Sequence, residues 1–179
     1  MKIAKIILFL MAVAILPSSM LAQKCKFDKE EKDKFTGQKV RSSRFKVGGA
    51  MYSWWILMEQ KGDKNYMTYQ IAVNGKVDES IRKGSKILMK LEDNSIVELE
   101  IDNEYNPTQS VEGTASGSPF IVSMWLPRGE LSKDQMKSLS ASNIAAIRIN
   151  IANKDLDSPD ISKKQATKLK ETAACMLQD

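Results

Sequence analysis

The stretch of sequence that decides the fold is residues 86–101, KILMKLEDNSIVELEI, in which apolar and polar residues alternate on both sides of a turn. Alternation with a period of two is the pattern of a strand with one buried face. The turn formers at residues 93–95, Asp-Asn-Ser, separate the two runs. We therefore predict an antiparallel hairpin whose loop consists of these three residues.

The register of this hairpin follows from its buried face, because a slip of one residue would turn every apolar side chain toward water. A loop at residues 93–95 pairs Leu91 with Val97 and sets Lys90 against Glu98 on the outer face. We expect the left-handed backbone conformation that such a loop requires at Asn94 or Ser95.

Residues before this hairpin also follow strand patterns. Residues 51–59 and 65–73 predict a second hairpin, joined through the turn at residues 61–64. After Ser53 the first of these strands is apolar on both faces, which is typical of a central strand that is covered on both sides. Residues 119–126 predict a further strand.

After Pro127 the period of the pattern changes from strand to helix. Ser132 and Gln135 form a capping box that opens one helix, and Ser162 opens another that runs to about Leu177. Residues 144–151 between them are a β-branched strand. The fold class is therefore α+β, a mostly antiparallel twisted sheet or sandwich of about six to eight strands with a helix–strand–helix C-terminal end.

The N-terminus has the pattern of a secretory signal peptide. Lys2 and Lys5 precede the apolar run at residues 6–16, and a polar stretch with a proline ends at Ala22. The apolar run is shorter than the roughly 18 residues that a membrane span needs. We predict a signal peptide at 1–22, a charged N-terminal arm at 23–38 and a single α+β domain at 39–179. The mature protein is then secreted or periplasmic and has no membrane span.

Two cysteines, Cys25 and Cys175, remain after this cleavage. In an oxidising compartment a pair of cysteines favours a disulfide, with free thiols or an intermolecular link as alternatives. The bridge, Phe27 and Phe35 would then hold the arm against the domain. The chain has no histidine, so neither a Cys–His nor a Ser–His catalytic pair is available.

Other candidate sites fail on residue type or spacing. The acidic stretch at residues 153–160 lacks the glycine and glutamate of a calcium loop, and we predict no metal ion and no cofactor. The serines of residues 113–118 precede a strand and have no base, unlike a nucleophile elbow. Glu98 and Glu100 share a strand face that we expect to be solvated. The sequence therefore predicts no catalytic residue.

The aromatic residues are the candidates for binding. Trp54 and Trp55 point to opposite sides of one strand, and Trp125 ends another. The net charge of +5 is partly carried by the predicted signal peptide, and no basic stripe with aromatics indicates a nucleic-acid partner. One interpretation places these indoles in the core and beneath a helix. The other is a ligand-binding site for a glycan, peptide or envelope protein, formed by Trp54, Trp55 and Trp125.

Two stretches resemble small exported proteins of unknown function from Gram-negative bacteria. One is residues 83–95, KGSKILMKLEDNS, and the other is the tail from Leu131 through residues 144–149 to a lysine-rich helix with a late cysteine. The likeness extends over about residues 83–177. It implies an exported α+β domain and no particular activity. The function expected is an exported non-catalytic binding or accessory module, with a small extracytoplasmic hydrolase that uses carboxylates as the alternative.

Overall fold

The structure is a computed structural model that describes residues 25–48, 53–113, 119–151 and 154–178. The predicted signal peptide, 1–22, lies outside the described residues. The strands are β1 (Lys29–Lys32), β2 (Lys39–Gly48), β3 (Ser53–Lys61), β4 (Lys64–Asn74), β5 (Lys86–Leu91), β6 (Ile96–Glu100), β7 (Thr108–Gly113), β8 (Pro119–Trp125), β9 (Arg128–Leu131), β10 (Ile144–Ile151) and β11 (Lys154–Asp157). The helices are α1 (Lys133–Ala141) and α2 (Lys163–Met176).

The larger of two antiparallel sheets has the strand order β1-β2-β3-β4-β8-β7, and β9 also pairs with β4. Strands β8 and β9 continue one another along β4, since Ile71 pairs with Trp125 and Thr68 with Arg128 in one register. Pro127 interrupts the ladder because proline has no N–H, although its carbonyl still accepts from the Tyr69 N–H at 2.9 Å. This sheet presents one buried and one open face.

The smaller sheet has the order β11-β10-β5-β6 and contains the hairpin predicted at residues 86–101. The predicted hairpin exists, but its register is wrong by two residues: Met89 pairs with Val97, and Leu91 bonds to Ser95 around residues 92–94. Asn94 is the residue with positive φ, at 69°. Asparagine tolerates the left-handed region better than serine, and this preference moves the loop one residue earlier than predicted.

One apolar cluster joins the buried faces of both sheets and the two helices. Helix α1 begins with the predicted capping box at Ser132 and Gln135, and α2 begins at its N-cap Ser162. The sheets meet where β9 crosses β6 at Gly129. A Cβ at this glycine would clash with the Glu100 carbonyl and lie 2.8 Å from Leu99 Cδ1. Only a residue without a side chain fits this crossing.

The N-terminal arm is fastened to the large sheet and to α2. Cys25 and Cys175 form the predicted disulfide, with Cα atoms 5.6 Å apart. Phe27 packs on the core, but Phe35 is 99% exposed, so its predicted anchoring role is wrong. Within the predicted charged arm, 23–38, strand β1 pairs antiparallel with the start of β2, a pairing that the sequence analysis did not predict.

The α+β class, the mostly antiparallel sheet and the two late helices are confirmed, but two details of the prediction are wrong. The described residues contain more strands than the six to eight expected. The predicted helix–strand–helix end also contains β11 between β10 and α2. Strands β1 and β11 are short edge strands rich in charge, which protects an edge from pairing but removes the apolar alternation by which strands are recognised.

None of the helices in the described ranges has the length and apolar character that crossing a membrane requires.

Candidate functional site

The structure separates the three tryptophans that the sequence analysis proposed as a site. Trp54 is 3% exposed and Trp125 is 1% exposed, so both belong to the core on the inner face of the large sheet. Trp55 lies on the opposite, outer face and is half-buried. The predicted platform of several indoles is therefore not assembled on one surface, and Trp55 alone among them faces outward.

The outer face of the large sheet is open where β2, β3 and β4 run side by side. Burial along β3 alternates strictly, so the prediction that this strand is covered on both sides is wrong. Its inner apolar residues pack in the core, whereas Trp55 and Leu57 on the opposite face are only half-buried. The apolar residues on the outer face of β3 therefore form an open apolar surface and not a second core.

Cationic side chains from the neighbouring strand surround Trp55. In the ladder Lys46 pairs with Trp55, and Arg44 pairs with Leu57. The Arg44 Cζ lies 4.2 Å from the centre of the indole ring, and the Lys46 Nζ lies 6.0 Å from it. We call Arg44, Lys46, Trp55, Leu57 and Gln70 the Trp55 patch.

Hydrogen bonds hold Arg44 in place without neutralising it. Its Nη2 donates to Gln70 Oε1 at 2.8 Å, and its backbone N–H donates to Asp28 Oδ2 at 2.7 Å. That backbone N–H, aided by Lys168, holds the pKa of Asp28 below its ordinary value. No ion pair joins Arg44 or Lys46 to a carboxylate within the described ranges. The patch is therefore a preorganised positive surface.

Beyond the patch, two cations of the same face, Arg128 and Lys64, are paired with carboxylates. Arg128 stacks on Tyr66 with its Cζ 3.9 Å from the ring centre, and its Nη2 is 2.9 Å from Glu59 Oε1. Lys64 pairs with Glu130 at 3.0 Å, and this carboxylate raises the pKa of Lys64. Among the described cations of this face that form no ion pair, Arg44 and Lys46 lie beside Trp55, and Lys61 lies at the far end of β3.

A cleft of about 370 Å³ lies between one end of each sheet, and Trp125 forms part of its wall. Val77 and Leu156 contribute apolar surface, and Lys76 and Glu79 are among its charged lining. The Trp125 Nε1–H already donates to the Glu79 carbonyl at 3.1 Å. This indole therefore offers a ligand no free polar group.

The carboxylates that the sequence suggested as candidate sites are exposed or already paired. Glu98 and Glu100 project from the exposed side of β6, and Glu98 pairs with Lys86. In the acidic stretch, Asp157 accepts a hydrogen bond from Arg148 Nε at 2.6 Å and is therefore already paired with a cation. The serine loop at residues 114–118 lies outside the described residues. Across the ranges that the structure describes, no group of three or more His, Cys, Asp or Glu side chains could hold a metal ion.

Sequence reasoning missed Arg44 and Lys46. Their signal is present, because Phe45 and Val47 are buried on the inner face and the two cations alternate with them on the outer face. The pairing of β2 with β3 is what brings them beside Trp55, and a sequence pattern alone does not specify which strands are neighbours.

Comparison of the chain with protein-family models, with curated proteins and with solved structures finds no match. The geometry of the site therefore carries the functional argument.

Proposed function

We propose that the protein is an exported, non-catalytic binding module whose binding surface is the Trp55 patch. One observation carries the proposal: a half-buried tryptophan lies on an uncovered sheet face between two cations that have no carboxylate partner in the described ranges. Tryptophan and arginine are the residues most enriched among those that dominate binding energy. The partner is a glycan, a peptide or an envelope protein.

The position of the patch in the sheet supports this role. Strand β3 is paired on both sides, with β2 and with β4, so the patch stands on fixed backbone rather than on loops. Side chains that are rigid before binding lose less conformational entropy when a partner arrives. An open apolar surface of this kind contributes little to folding, which makes binding the better account of it.

Export is part of the proposal and has separate support. The Cys25–Cys175 bridge suits an oxidising compartment, where disulfides form and persist. The N-terminal pattern and the resemblance to exported Gram-negative proteins agree with it. We expect that the full chain expressed in a Gram-negative bacterium yields an oxidised product that begins at Gln23, which an intact-mass measurement would detect. Retention of the N-terminal segment on a cytoplasmic, reduced product would contradict export.

Binding is tested on that purified product with two defined probes, a glycan array and a phage-displayed peptide library. The comparison is between the unmodified protein, Trp55→Ala and a matched control, Ile96→Ala, whose side chain is 59% exposed on the smaller sheet. We expect ligands from at least one probe to lose about 30-fold in affinity with Trp55→Ala, a hot-spot effect, and to keep their affinity with Ile96→Ala. Thermal unfolding of each variant checks that its fold is intact. If neither probe yields a ligand that depends on Trp55, the proposed function is wrong.

A further inference from the structure

We infer that the Trp55 patch binds an acidic peptide segment of a partner protein, with a carboxylate on Arg44 and an adjacent apolar side chain on Leu57. This inference rests on the proposed function and names its ligand class. It follows from three features of the patch: its charge, the stacking of the guanidinium and the apolar residues beside it.

The charge of the patch calls for an anionic ligand. Arg128 and Lys64 on the same face are each matched by a glutamate, whereas Arg44 and Lys46 have no carboxylate partner in the described ranges. The local potential is therefore positive where Trp55 is exposed. A carboxylate from a partner would give Arg44 the kind of ion pair that Arg128 and Lys64 already have.

The Arg44 guanidinium is held in a position in which it can bind a carboxylate. Its Nη2 bonds to Gln70, and the remaining N–H groups keep the fork geometry that binds a carboxylate through two hydrogen bonds. Stacking on the indole and the bond to Gln70 fix the arginine side chain in the free protein. The entropy cost of immobilising it is thus met during folding and not on binding.

The same stacking favours a peptide over a glycan. A sugar ring needs a bare aromatic face, and the Arg44 guanidinium occupies a face of Trp55 at 4.2 Å. Leu57 follows Trp55 on the same face of β3. On the far side of Gln70, Met124 accepts a hydrogen bond from the Gln70 amide at its sulfur, at 3.2 Å. These side chains match apolar residues better than hydroxyl groups. In an extended peptide the alternate side chains lie about 7 Å apart on one side, a spacing that spans neighbouring positions of the patch.

A peptide that contacts Trp55 and Leu57 lies over the face of the sheet and is recognised through its side chains. Both edges of β3 are paired, with β2 and with β4. On the outer edge of β2, β1 pairs only with residues 39–42, and the Arg44 N–H already donates to Asp28. A peptide backbone over this face therefore gains few hydrogen bonds, and its sequence must supply the affinity. This makes the composition of selected peptides an informative readout.

The test is a charge-swap selection from the phage-displayed peptide library. The baits are the unmodified protein, the reversed variant Arg44→Glu/Lys46→Glu, the neutral variant Arg44→Gln/Lys46→Gln, and the control Lys90→Glu/Lys133→Glu. The control has the same net charge as the reversed variant but carries its changes on the smaller sheet and on α1. Peptides chosen on each bait are then synthesised and measured against all four.

We expect the unmodified protein and the control to select peptides with Asp or Glu beside an apolar residue. The neutral variant should bind them at least about tenfold more weakly, and the reversed variant should select Lys or Arg at the same place. Peptides that depend on Trp55 but lack acidic residues, or Trp55-dependent glycans with no peptides, would overturn this inference and leave the proposed function standing. Absence of any Trp55-dependent ligand would overturn both.

Discussion

Arg44 and Arg148 are both exposed on the outer face of a sheet, one on each sheet, but have opposite surroundings. Arg148 bonds to Asp157 through Nε and Nη2, at 2.6 and 2.9 Å, and its Nη1 is 3.4 Å from Asp155. Arg44 has no such carboxylate and lies against Trp55. Arg148 therefore has carboxylate partners within the chain, whereas Arg44 has none in the described part of the chain.

This difference shows how a structural face and a binding face are distinguished. Along the smaller sheet, Lys86–Glu98 and Arg148–Asp157 pairs cross between strands, as expected of a solvated exterior. On the outer face of the large sheet, Arg44 and Lys46 beside Trp55 form no ion pair with any described carboxylate. Exposure alone would not separate the two faces, because both carry partly exposed side chains.

The largest effect is expected from removing the disulfide, which fastens the arm to the large sheet and α2. The double variant Cys25→Ser/Cys175→Ser releases a loop with a sequence separation of 150. We expect the free energy of unfolding to fall by about 4 kcal/mol, mainly because the unfolded chain gains entropy. Urea unfolding of the oxidised protein and the variant measures this, and a difference below about 1 kcal/mol would show that the arm is not a constraint.

A smaller loss is expected at the crossing of the two sheets. Gly129→Ala places a methyl group against the Glu100 carbonyl and Leu99. The strands must separate to accept it, at a cost of about 3 kcal/mol, and both outer faces should be affected together. Amide exchange in β4 and β5 should accelerate in parallel. Exchange that rises in only one sheet would mean that the sheets do not share a core through this contact.

Charge reversal at Arg44 and at Arg148 tests the difference between their surroundings directly. Arg148→Glu adds a third carboxylate beside Asp155 and Asp157, and we expect it to lower the free energy of unfolding more than Arg44→Glu does. Arg44→Glu removes a cation–π contact and has Asp28 as its neighbouring carboxylate, and the lost contact should cost about 0.5 kcal/mol. Thermal or urea unfolding of the two variants measures the two stability losses. Equal losses would contradict the claim that one arginine is paired and the other is not.

The smallest effect concerns the bond between Asp28 and the Arg44 amide. Because the folded pKa of Asp28 is lowered, its stabilising contribution is complete above its ordinary value of 3.8 and is lost as the pH falls through the folded pKa. The Arg44 amide shift in an NMR titration should therefore change with a midpoint below 3.8. In Asp28→Asn this transition should vanish, with a stability cost of about 0.5 kcal/mol because the Asp28 side chain is 50% exposed. A midpoint at or above the ordinary value would contradict the lowered pKa.

Elements with clear periodicity could be predicted from the sequence, and elements at edges could not. The β5–β6 hairpin and both helix N-caps are recognisable because alternation and capping residues are local signals. Strand β7, Thr108–Gly113, is exposed throughout and has no alternation to detect. The register error at Asn94 arose because two adjacent residues could each take the left-handed position.

The candidate site could be predicted only in part. Trp55 was recognised as an aromatic residue on a strand, but Trp54 and Trp125 have the same local appearance and are buried. Which face of β3 lacks a cover depends on how the whole chain packs. Arg44 is 11 residues from Trp55 in sequence and stacks on it only because β2 pairs with β3.

The most direct test of the central claim uses both arginines in one experiment. The ¹⁵N-labelled protein is titrated with the neutral-ended peptide acetyl-Leu-Glu-Leu-amide while the Arg Nε–H and Trp Nε1–H signals are followed by NMR. We predict that the Arg44 and Trp55 signals shift together and saturate at millimolar peptide, while the Arg148 signal stays in place because its carboxylates already occupy it. Equal, unsaturated shifts at both arginines, or a Trp55 signal that does not move, would contradict the account.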